Sequence, residues 1–407
     1  MKVLYISTNF TALTHTFITR EVAQLRDLGL GVELLSLRTH SGEAGVSAPE
    51  CDLAGCRFAY PMPASRLVPG VLRRALRHPV RFARAARAAT ASRLDSPRTK
   101  LKLLYQLGVA AALAPEIERA GCDHIHAHFA TSPATFAMFL GLLTDTPFSF
   151  TGHAADVFRD PVALDTKLRL AAATRAISAH NLRHYRTLAP ALPRAVVIHC
   201  GVDVQRFSYR MRARAGSPLH IVAVGRLVPK KGFSQLIEAL ALLQRRGVAW
   251  RADLIGEGPL LGELKLKAAD AGLHNLTFTG PLQQGAVRDL LGRADACVLP
   301  CVVAPDGDVD GIPVSLMEAM ASGCPVISTR ISGIPELIED GVSGLLTPPG
   351  DAAALADALQ RLATEPDLPP RLSRGGRAKV EQEFNLAHAG EQLRDFFAAA
   401  PRSAGKA

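Results

Sequence analysis

DGDVDGIPVSLMEAMASGCPVISTRISGIPELIEDGVSGLLTPPG, residues 306–350, reads as two strand–loop–helix units in succession. Asp310 and Gly311 fall in a loop. Pro313 stands where a first helical residue belongs, because a helix start leaves that N–H unpaired in any case. The spacing predicts a helix from Ser315 to Ala321, with Glu318 about a turn and a half in, stopped by Gly323. Cys324 to Thr329 is a short apolar run of buried-strand character. Gly333, Pro335 and Glu336 open the next helix, and Gly341 and Gly344 turn the chain into a small strand at Leu345-Leu346. Two carboxylates eight positions apart, Asp310 and Glu318, flank a helix N-terminus whose unpaired N–H groups suit a phosphate. Acidic acceptors for hydroxyls, set around backbone donors for a diphosphate, match the chemistry of a sugar nucleotide.

Upstream, the second half of the chain starts afresh at Leu219 with the apolar run HIVAVG. Gly225-Arg226 ends this strand, and Lys230-Lys231-Gly232 opens a helix with Phe233, Leu236, Ile237, Leu240 and Leu243 on one face. Lys230 is expected to face solvent. A strand at 251–255 leads to Gly256-Glu257-Gly258-Pro259, where glycines permit close backbone approach. Another, at 276–279, leads to Gly280-Pro281-Leu282. The start of the chain follows the same logic: a strand at 2–7, a polar loop at 9–16, a helix at 17–28 and a strand at 32–37. Two such beginnings predict an α/β protein of two Rossmann-like domains, with functional loops at the carboxyl ends of parallel strands. The polar stretch 208–218 fits a linker between them.

The segment 306–350 resembles the nucleotide-sugar site of the retaining glycosyltransferases of family 4, which have the GT-B fold of two facing Rossmann-like domains with an interdomain cleft. The likeness rests on the acid-x7-Glu spacing of Asp310 and Glu318, on EAMASGCPVIST (318–329) and on GIPELIEDGVSG (333–344). The family usually carries Glu where this chain has Asp310, shorter by one methylene, which leaves the donor-sugar preference open. GR-x4-KG resembles the family's diphosphate clamp, so the resemblance gives Arg226 and Lys231 to the diphosphate. It gives Glu318 to ribose hydroxyls and Asp310 to hydroxyls of the donor sugar. Gly225, Gly256, Gly258, Gly311, Ile312, Pro313, Val314, Ser315 and Leu316 then line the donor, and Pro281 and Leu282 frame the base. FTALTHTFITREVAQLRDLGLGVELLSLR (10–38) resembles the opening of family 4 enzymes that build bacterial exopolysaccharides of the colanic-acid type. Those often carry Ser-Glu-Thr-Phe where this chain has Thr14-His15-Thr16-Phe17; His15 either faces the cleft or lies on the surface. Cys200-Gly201-Val202-Asp203 resembles the hinge, and 384–400 the last helix that returns to the first domain. The implied domains are 1–200, a hinge and linker at 201–218, a donor domain at 219–383, and the returning helix and tail at 384–407.

The composition agrees with that class and narrows the rest. The chain has 407 residues, enough for two domains, and its 48% hydrophobic and 5% aromatic content suits an Ala/Leu/Val-rich α/β protein. No apolar run approaches the roughly 18 residues that span a bilayer. Met1-Lys2 leads straight into a strand, so no signal peptide is visible and a cytoplasmic protein is expected. Seven cysteines without CxxC spacing read as buried thiols. Between Arg66 and Lys102 stand eleven Lys and Arg against Asp95 alone, which accounts for the whole net charge of +10. Arg73, Arg74, Arg77, Arg81, Arg84 and Arg87 recur there at three- and four-residue steps with a break at Pro79, and Leu67, Val71, Leu72, Leu76 and Phe82 supply apolar surface between them. Basic amphipathic helices suit anionic lipid headgroups, with peripheral binding to the inner face of the membrane as the implied location. A solvated basic face is the competing reading. Nucleic acid is not expected, because the stretch has almost no aromatic interleaving and no RNA- or DNA-binding motif.

In the first half, a strand at 124–127 ends in His126-Ala127-His128-Phe129, and another, 147–151, stops at Thr151-Gly152-His153-Ala154-Ala155-Asp156. A histidine just past a strand end lies where ligands bind, and a packed or capping histidine is its alternative. The resemblance gives His153 a place near the reacting carbon of the donor sugar. Asp156 reads as a helix cap. His126 and His128, two apart on one strand face, lack a third metal ligand nearby in sequence.

The implied chemistry is transfer of a sugar from a nucleoside diphosphate to a hydroxyl of a lipid-linked or oligosaccharide acceptor, with retention. Arg226, Lys231 and backbone N–H groups would neutralise the leaving diphosphate without a metal. Asp306-Gly307-Asp308 matches the Asp-x-Asp pattern with which a different transferase fold holds manganese, but no metal is expected here. The donor, UDP- or GDP-linked, is the only small molecule implied, and no further cofactor is. A sugar-nucleotide 2-epimerase of the same architecture and a non-catalytic sugar-nucleotide-binding scaffold are the other two readings.

Overall fold

The structure, a computed structural model, describes residues 1–11, 16–38, 51–92, 95–212 and 218–400, and His15 lies outside the described residues. By its own contacts the chain divides into Met1–His199 together with the segment from Ala387, and Cys200–Leu386.

In the first unit, β1 (Lys2–Ser7), β2 (Gly31–Ser36), β3 (Arg57–Phe58), β4 (His124–His128), β5 (Phe148–Gly152), β6 (Ala173–Ala176) and β7 (Ala195–Val197) form one parallel sheet. Their order is β3-β2-β1-β4-β5-β6-β7. A parallel sheet is covered on both faces, and Val3, Leu4, Tyr5 and Ile6 of β1 are all fully buried. Val3 pairs with Val32 of β2 on one side and with His124 of β4 on the other. The strand order reverses between β1 and β4, so the carboxyl ends of those two strands bracket the crevice where sheets of this kind bind ligands. The helix Ser132–Thr144 is apolar all round and correspondingly buried, with Pro133 in its first turn. The last helix, Leu386–Ala398, places Leu393, Phe396 and Phe397 in one core cluster with Val3, Tyr5, Ile18 and Val22.

In the second unit, β8 (Leu219–Val224), β9 (Trp250–Ile255), β10 (Leu276–Gly280), β11 (Ala296–Leu299), β12 (Val326–Thr329) and β13 (Leu345–Thr347) form a parallel sheet in the order β10-β9-β8-β11-β12-β13. The apolar stripe of the helix Phe233–Arg245 is buried as its spacing predicts: Phe233, Leu236, Ile237, Leu240 and Leu243. The helix after β11 runs Val314–Ala321 with Pro313 at its N-cap, one position ahead of the Ser315 start expected. Here the order reverses between β8 and β11, so the loop carrying Arg226 and Lys231 and the loop carrying Asp310 leave adjacent strands at the switch point.

The basic stretch folds as two helices, Ala64–Arg77 and Pro79–Ala91, broken at His78-Pro79 as the sequence suggests, and its end enters a third, Pro97–Ala120. Two expectations about it are corrected. Arg74 is not on the surface: its side chain is 4% exposed and forks onto Glu118 at 3.0 and 2.6 Å, with a further hydrogen bond to the Leu143 carbonyl. Leu67, Val71 and Phe82 also point inward, packed against the core of the first unit. The apolar residues left outside are Val68 at 54%, Leu72 at 57%, Leu76 at 81% and Val80 at 71% exposure. Arg73, Arg77 and Arg84 are exposed, and Arg81 is half-buried in an ion pair with Asp145 at 3.3 Å. Arg74→Ala strips the Leu143 carbonyl of its donor, whereas Glu118, more than a third exposed, can turn to water. A cost of about 2 kcal/mol follows, and a melting temperature lower by about 4–8 °C. An unchanged thermal melt would contradict this reading of Arg74.

Candidate active site

Loops at the carboxyl edge of the second sheet are stitched together by backbone hydrogen bonds. The N–H of Gly225 donates to the Ile255 carbonyl at 3.0 Å, that of Gly256 to Gly280 at 2.9 Å, and that of Leu227 to Glu257 at 2.8 Å. These bonds place Gly225, Arg226, Gly256 and Gly258 along one edge, with Pro281 and Leu282 directly after β10 on the same side. Only glycine fits at 256, where φ is +139° and a Cβ would lie 2.0 Å from the Gly225 carbonyl oxygen. Ser315 Oγ donates to the Val224 carbonyl at 3.2 Å and ties the start of the Val314–Ala321 helix to the end of β8. Gly311, Ile312 and Pro313 are buried in the approach to that helix, with Val314 half-buried and Leu316 buried at its start.

Lys231 and Asp310 meet across the switch point. Lys231 Nζ donates to Asp310 Oδ2, and each side chain is 14% exposed. Burial alone would lower the lysine and raise the aspartate. Each charge overrides this for the other, so Lys231 lies above its ordinary value and Asp310 below it. Both are therefore ionised at neutral pH. Lys230, expected in solvent, is corrected to a second buried cation: its side chain is 15% exposed and its Nζ lies 3.2 Å from Asp308 and 3.8 Å from Asp310. The reason is local, since the turn at Pro229–Lys231 is fastened by the hydrogen bond from the Val302 N–H to the Lys230 carbonyl, which aims both lysines at the acidic loop. Asp306 and Asp308 are likewise used by the loop itself: Asp306 accepts from the Asp308 N–H at 3.1 Å, and Asp308 pairs with Lys230. Arg226 is exposed and in no ion pair among the described residues. Glu318 is half-buried, with Gln284 Nε2 donating to it at 3.4 Å.

In the first unit, His153 follows β5 and is held on every side. Its N–H donates to both oxygens of Asp156 at 3.1 Å, and its carbonyl accepts from the Asn181 amide at 3.0 Å. Asp156 also takes the Ala130 and Ala154 N–H groups at 2.7 and 2.8 Å; it sits inside the short helix Ala155–Phe158 and ties neighbouring loops together instead of capping that helix. Phe17 and Phe129 wall the His153 ring at 5.0 and 4.9 Å between centroids, and Phe129 holds a left-handed φ of 77°, a strained conformation for an aromatic residue. The ring nitrogen Nε2 lies 3.2 Å from His128 Nδ1. Behind it, Glu21, His126 and His128 bring ligand-type atoms within 4.8 Å of one another. The third member that sequence spacing did not offer thus arrives 107 positions before His128. Those atoms already have partners: His126 bonds Ser149 and Thr151, His128 bonds Glu21, and Arg175 supplies the positive charge at Glu21.

Two doubly wound parallel sheets, the second with paired lysines and carboxylates at its switch point, define a two-domain α/β fold of the GT-B type. Residues 209–379 match the family described as glycosyl transferases group 1. Over 97% of its length the chain is 30% identical to the putative colanic acid biosynthesis glycosyltransferase WcaL of Salmonella typhimurium, covering 98% of that protein. The chain belongs to the group 1 glycosyl transferases. It is also 44% identical to the amylovoran biosynthesis glycosyltransferase AmsK of Erwinia amylovora across 48% of this chain, an alignment that spans about half of AmsK, 49%. Among solved structures, a sucrose-phosphate synthase from Thermosynechococcus elongatus superposes with a TM-score of 0.72 at 20% identity, covering 98% of this chain and all of that one. Anabaena Alr3699/HepE in complex with UDP-glucose does so with a TM-score of 0.72 at 17% identity and the same coverage. These two likenesses bear on the fold.

Proposed function

We propose that this chain moves a sugar from a UDP- or GDP-linked donor to a hydroxyl of a lipid-linked or oligosaccharide acceptor during exopolysaccharide assembly, with retention and without a metal. The observation that carries the reading is the ionised Lys231–Asp310 pair at the switch point of the second sheet, beside the start of the Val314–Ala321 helix. A diphosphate entering there meets Lys231, Lys230, the exposed Arg226 and the N–H groups that a helix start leaves unpaired. As the glycosidic bond breaks, charge builds on the departing phosphate, and the fixed, largely buried Lys231 and Lys230 stabilise it without reorganising. Glu318 takes the ribose hydroxyls, Asp310 those of the sugar, and His153 contacts the sugar near C1. The names of WcaL and AmsK support the exopolysaccharide setting. Nothing in the site favours the epimerase or the scaffold. A thermal-shift panel of nucleotide sugars tests the reading: the matching donor, at about 100 times its dissociation constant, adds roughly 2.7 kcal/mol of stability. No shift with any UDP- or GDP-sugar would sink it.

The same proposal places the protein at the inner face of an anionic membrane. No helix among the described residues is long and apolar enough to cross one. Val68, Leu72, Leu76 and Val80 stand exposed among Arg73, Arg77, Arg84 and Arg87, which is the pattern of a helix lying in the headgroup layer. Vesicles containing phosphatidylglycerol should pellet the wild-type chain and leave a Leu72→Glu/Leu76→Glu/Arg77→Glu variant in the supernatant. Equal pelleting removes the membrane contact. Arg74 is left intact in this design, because its replacement would destabilise the fold.

A further inference from the structure

Behind His153 runs a chain of buried polar groups that sugar binding alone does not require. His128 and Arg175 are fully buried, and the Glu21 side chain is 5% exposed. Glu21 Oε1 accepts from Tyr5 Oη and faces His128 Nε2, each at 2.9 Å, and its Oε2 accepts from Arg175 Nη1 at 2.6 Å. Arg175 is fixed in turn by the carbonyls of Ile198 at 3.0 Å and His199 at 3.1 Å. The groups facing this cluster come from every element around it: Tyr5 on β1, Glu21 on the helix Thr16–Asp27, His124, His126 and His128 on β4, Ser149 and Thr151 on β5, and Arg175 on β6. From the last helix the Phe396 and Phe397 rings touch the histidines. Burying an ion pair is a poor way to gain stability compared with an apolar cluster of the same volume, so this pair asks for another role.

We propose that Glu21, paired to Arg175, sets the tautomer of His128 and through it that of His153, so that His153 carries its hydrogen on Nε2 and keeps Nδ1 as its proton-accepting nitrogen. An ionised carboxylate only accepts hydrogen bonds, so the His128 nitrogen that faces it carries the hydrogen. Burial would push the Glu21 carboxyl up, but the Arg175 guanidinium holds it well below the usual carboxylate range. The His128 tautomer with its one hydrogen on Nε2 has a lone pair at Nδ1, and in that pairing the hydrogen shared at 3.2 Å belongs to His153. Burial holds His126 well below its ordinary value, so it stays neutral, and its two ring nitrogens are taken by Ser149 and Thr151. Glu21, His128 and Arg175 are then positioning residues. The functional consequence rests on the proposed contact of His153 with the donor sugar: a fixed Nδ1 acceptor can take one sugar hydroxyl hydrogen bond in one orientation.

The test reads the tautomer directly. Long-range proton–nitrogen NMR of the full chain with 15N-labelled histidine, assigned with His153→Asn, should show His153 in wild type with hydrogen on Nε2 and widely split ring nitrogens. In Glu21→Gln the carboxamide can accept or donate, so the two His153 signals should move toward one another. His128→Phe keeps the ring packing and cuts the connection; it should produce the same shift if Glu21→Gln fails to fold. A wild-type His153 with hydrogen on Nδ1, or His153 signals unchanged in both variants, overturns the proposal. Sugar-transfer rates on the same proteins separate it from the reading it rests on. A shifted tautomer with unchanged transfer upholds the relay and removes His153 from the reaction. An unchanged tautomer with lost transfer overturns the relay and leaves His153 in place.

Discussion

Lys231→Ala should lower sugar transfer by about 10²- to 10³-fold, the usual loss when one preorganised donor to a developing negative charge is removed. The lysine is suited to this work by its surroundings. It is 14% exposed, raised above its ordinary value by Asp310, and set on a turn that the Val302–Lys230 backbone bond holds rigid. Its charge is therefore present at any working pH and needs no rearrangement as the bond breaks. The fold should survive the change, because Lys230 lies 3.8 Å from Asp310 and can take over the orphaned carboxylate. The loss should fall mainly on kcat, since Lys231 acts most strongly once charge has built on the leaving group. Steady-state kinetics with a circular-dichroism check of folding decides it; near-normal turnover in a folded variant would overturn the clamp.

Gly232→Ala should cost about 3–5 kcal/mol of stability in the second unit and abolish donor binding with it. Position 232 has φ +69°, and a Cβ there would lie 1.8 Å from the Pro300 carbonyl oxygen. That oxygen is backbone at the end of β11, so it cannot swing aside as a flexible side chain would. The turn bearing Lys230 and Lys231 must then part from the loop bearing Asp308 and Asp310. Gly247→Ala supplies the control: φ is +73° there but nothing lies within 4 Å, so only the backbone term of about 1 kcal/mol remains. Chemical denaturation of the two variants measures the difference, and equal midpoints would contradict it.

The second site was largely legible in the sequence because its parts lie in ordered loops between strong strand and helix signals. HIVAVG, the stripe from Phe233 to Leu243 and the run 306–350 each report their own position. The burial of Lys230 is not legible locally because its partner, Asp308, is 78 residues away, and no local periodicity announces a salt bridge of that span. Arg74 is hidden for a different reason. The helix Ala64–Arg77 carries two apolar stripes, Val68–Leu72–Leu76 and Leu67–Val71, and the second one packs inward and takes Arg74 with it. Charge does not forbid that face when Glu118 waits 44 positions on. The string from Arg175 to His153 was hidden for the same cause. HIHAH reads as a strand, but Glu21, Ser149 and Arg175 reach it from other elements only through the topology.

All of the proposed chemistry depends on protein cations standing in for a metal at the diphosphate, and nucleotide binding with chelator present tests this most directly. With EDTA in the cell of a titration calorimeter, UDP or GDP should bind the wild-type chain, and the affinity should fall at least about tenfold, roughly 1.4 kcal/mol, in Arg226→Ala and in Lys231→Ala. Binding that appears only when manganese or magnesium is supplied, or equal affinity in all three proteins, would contradict the account.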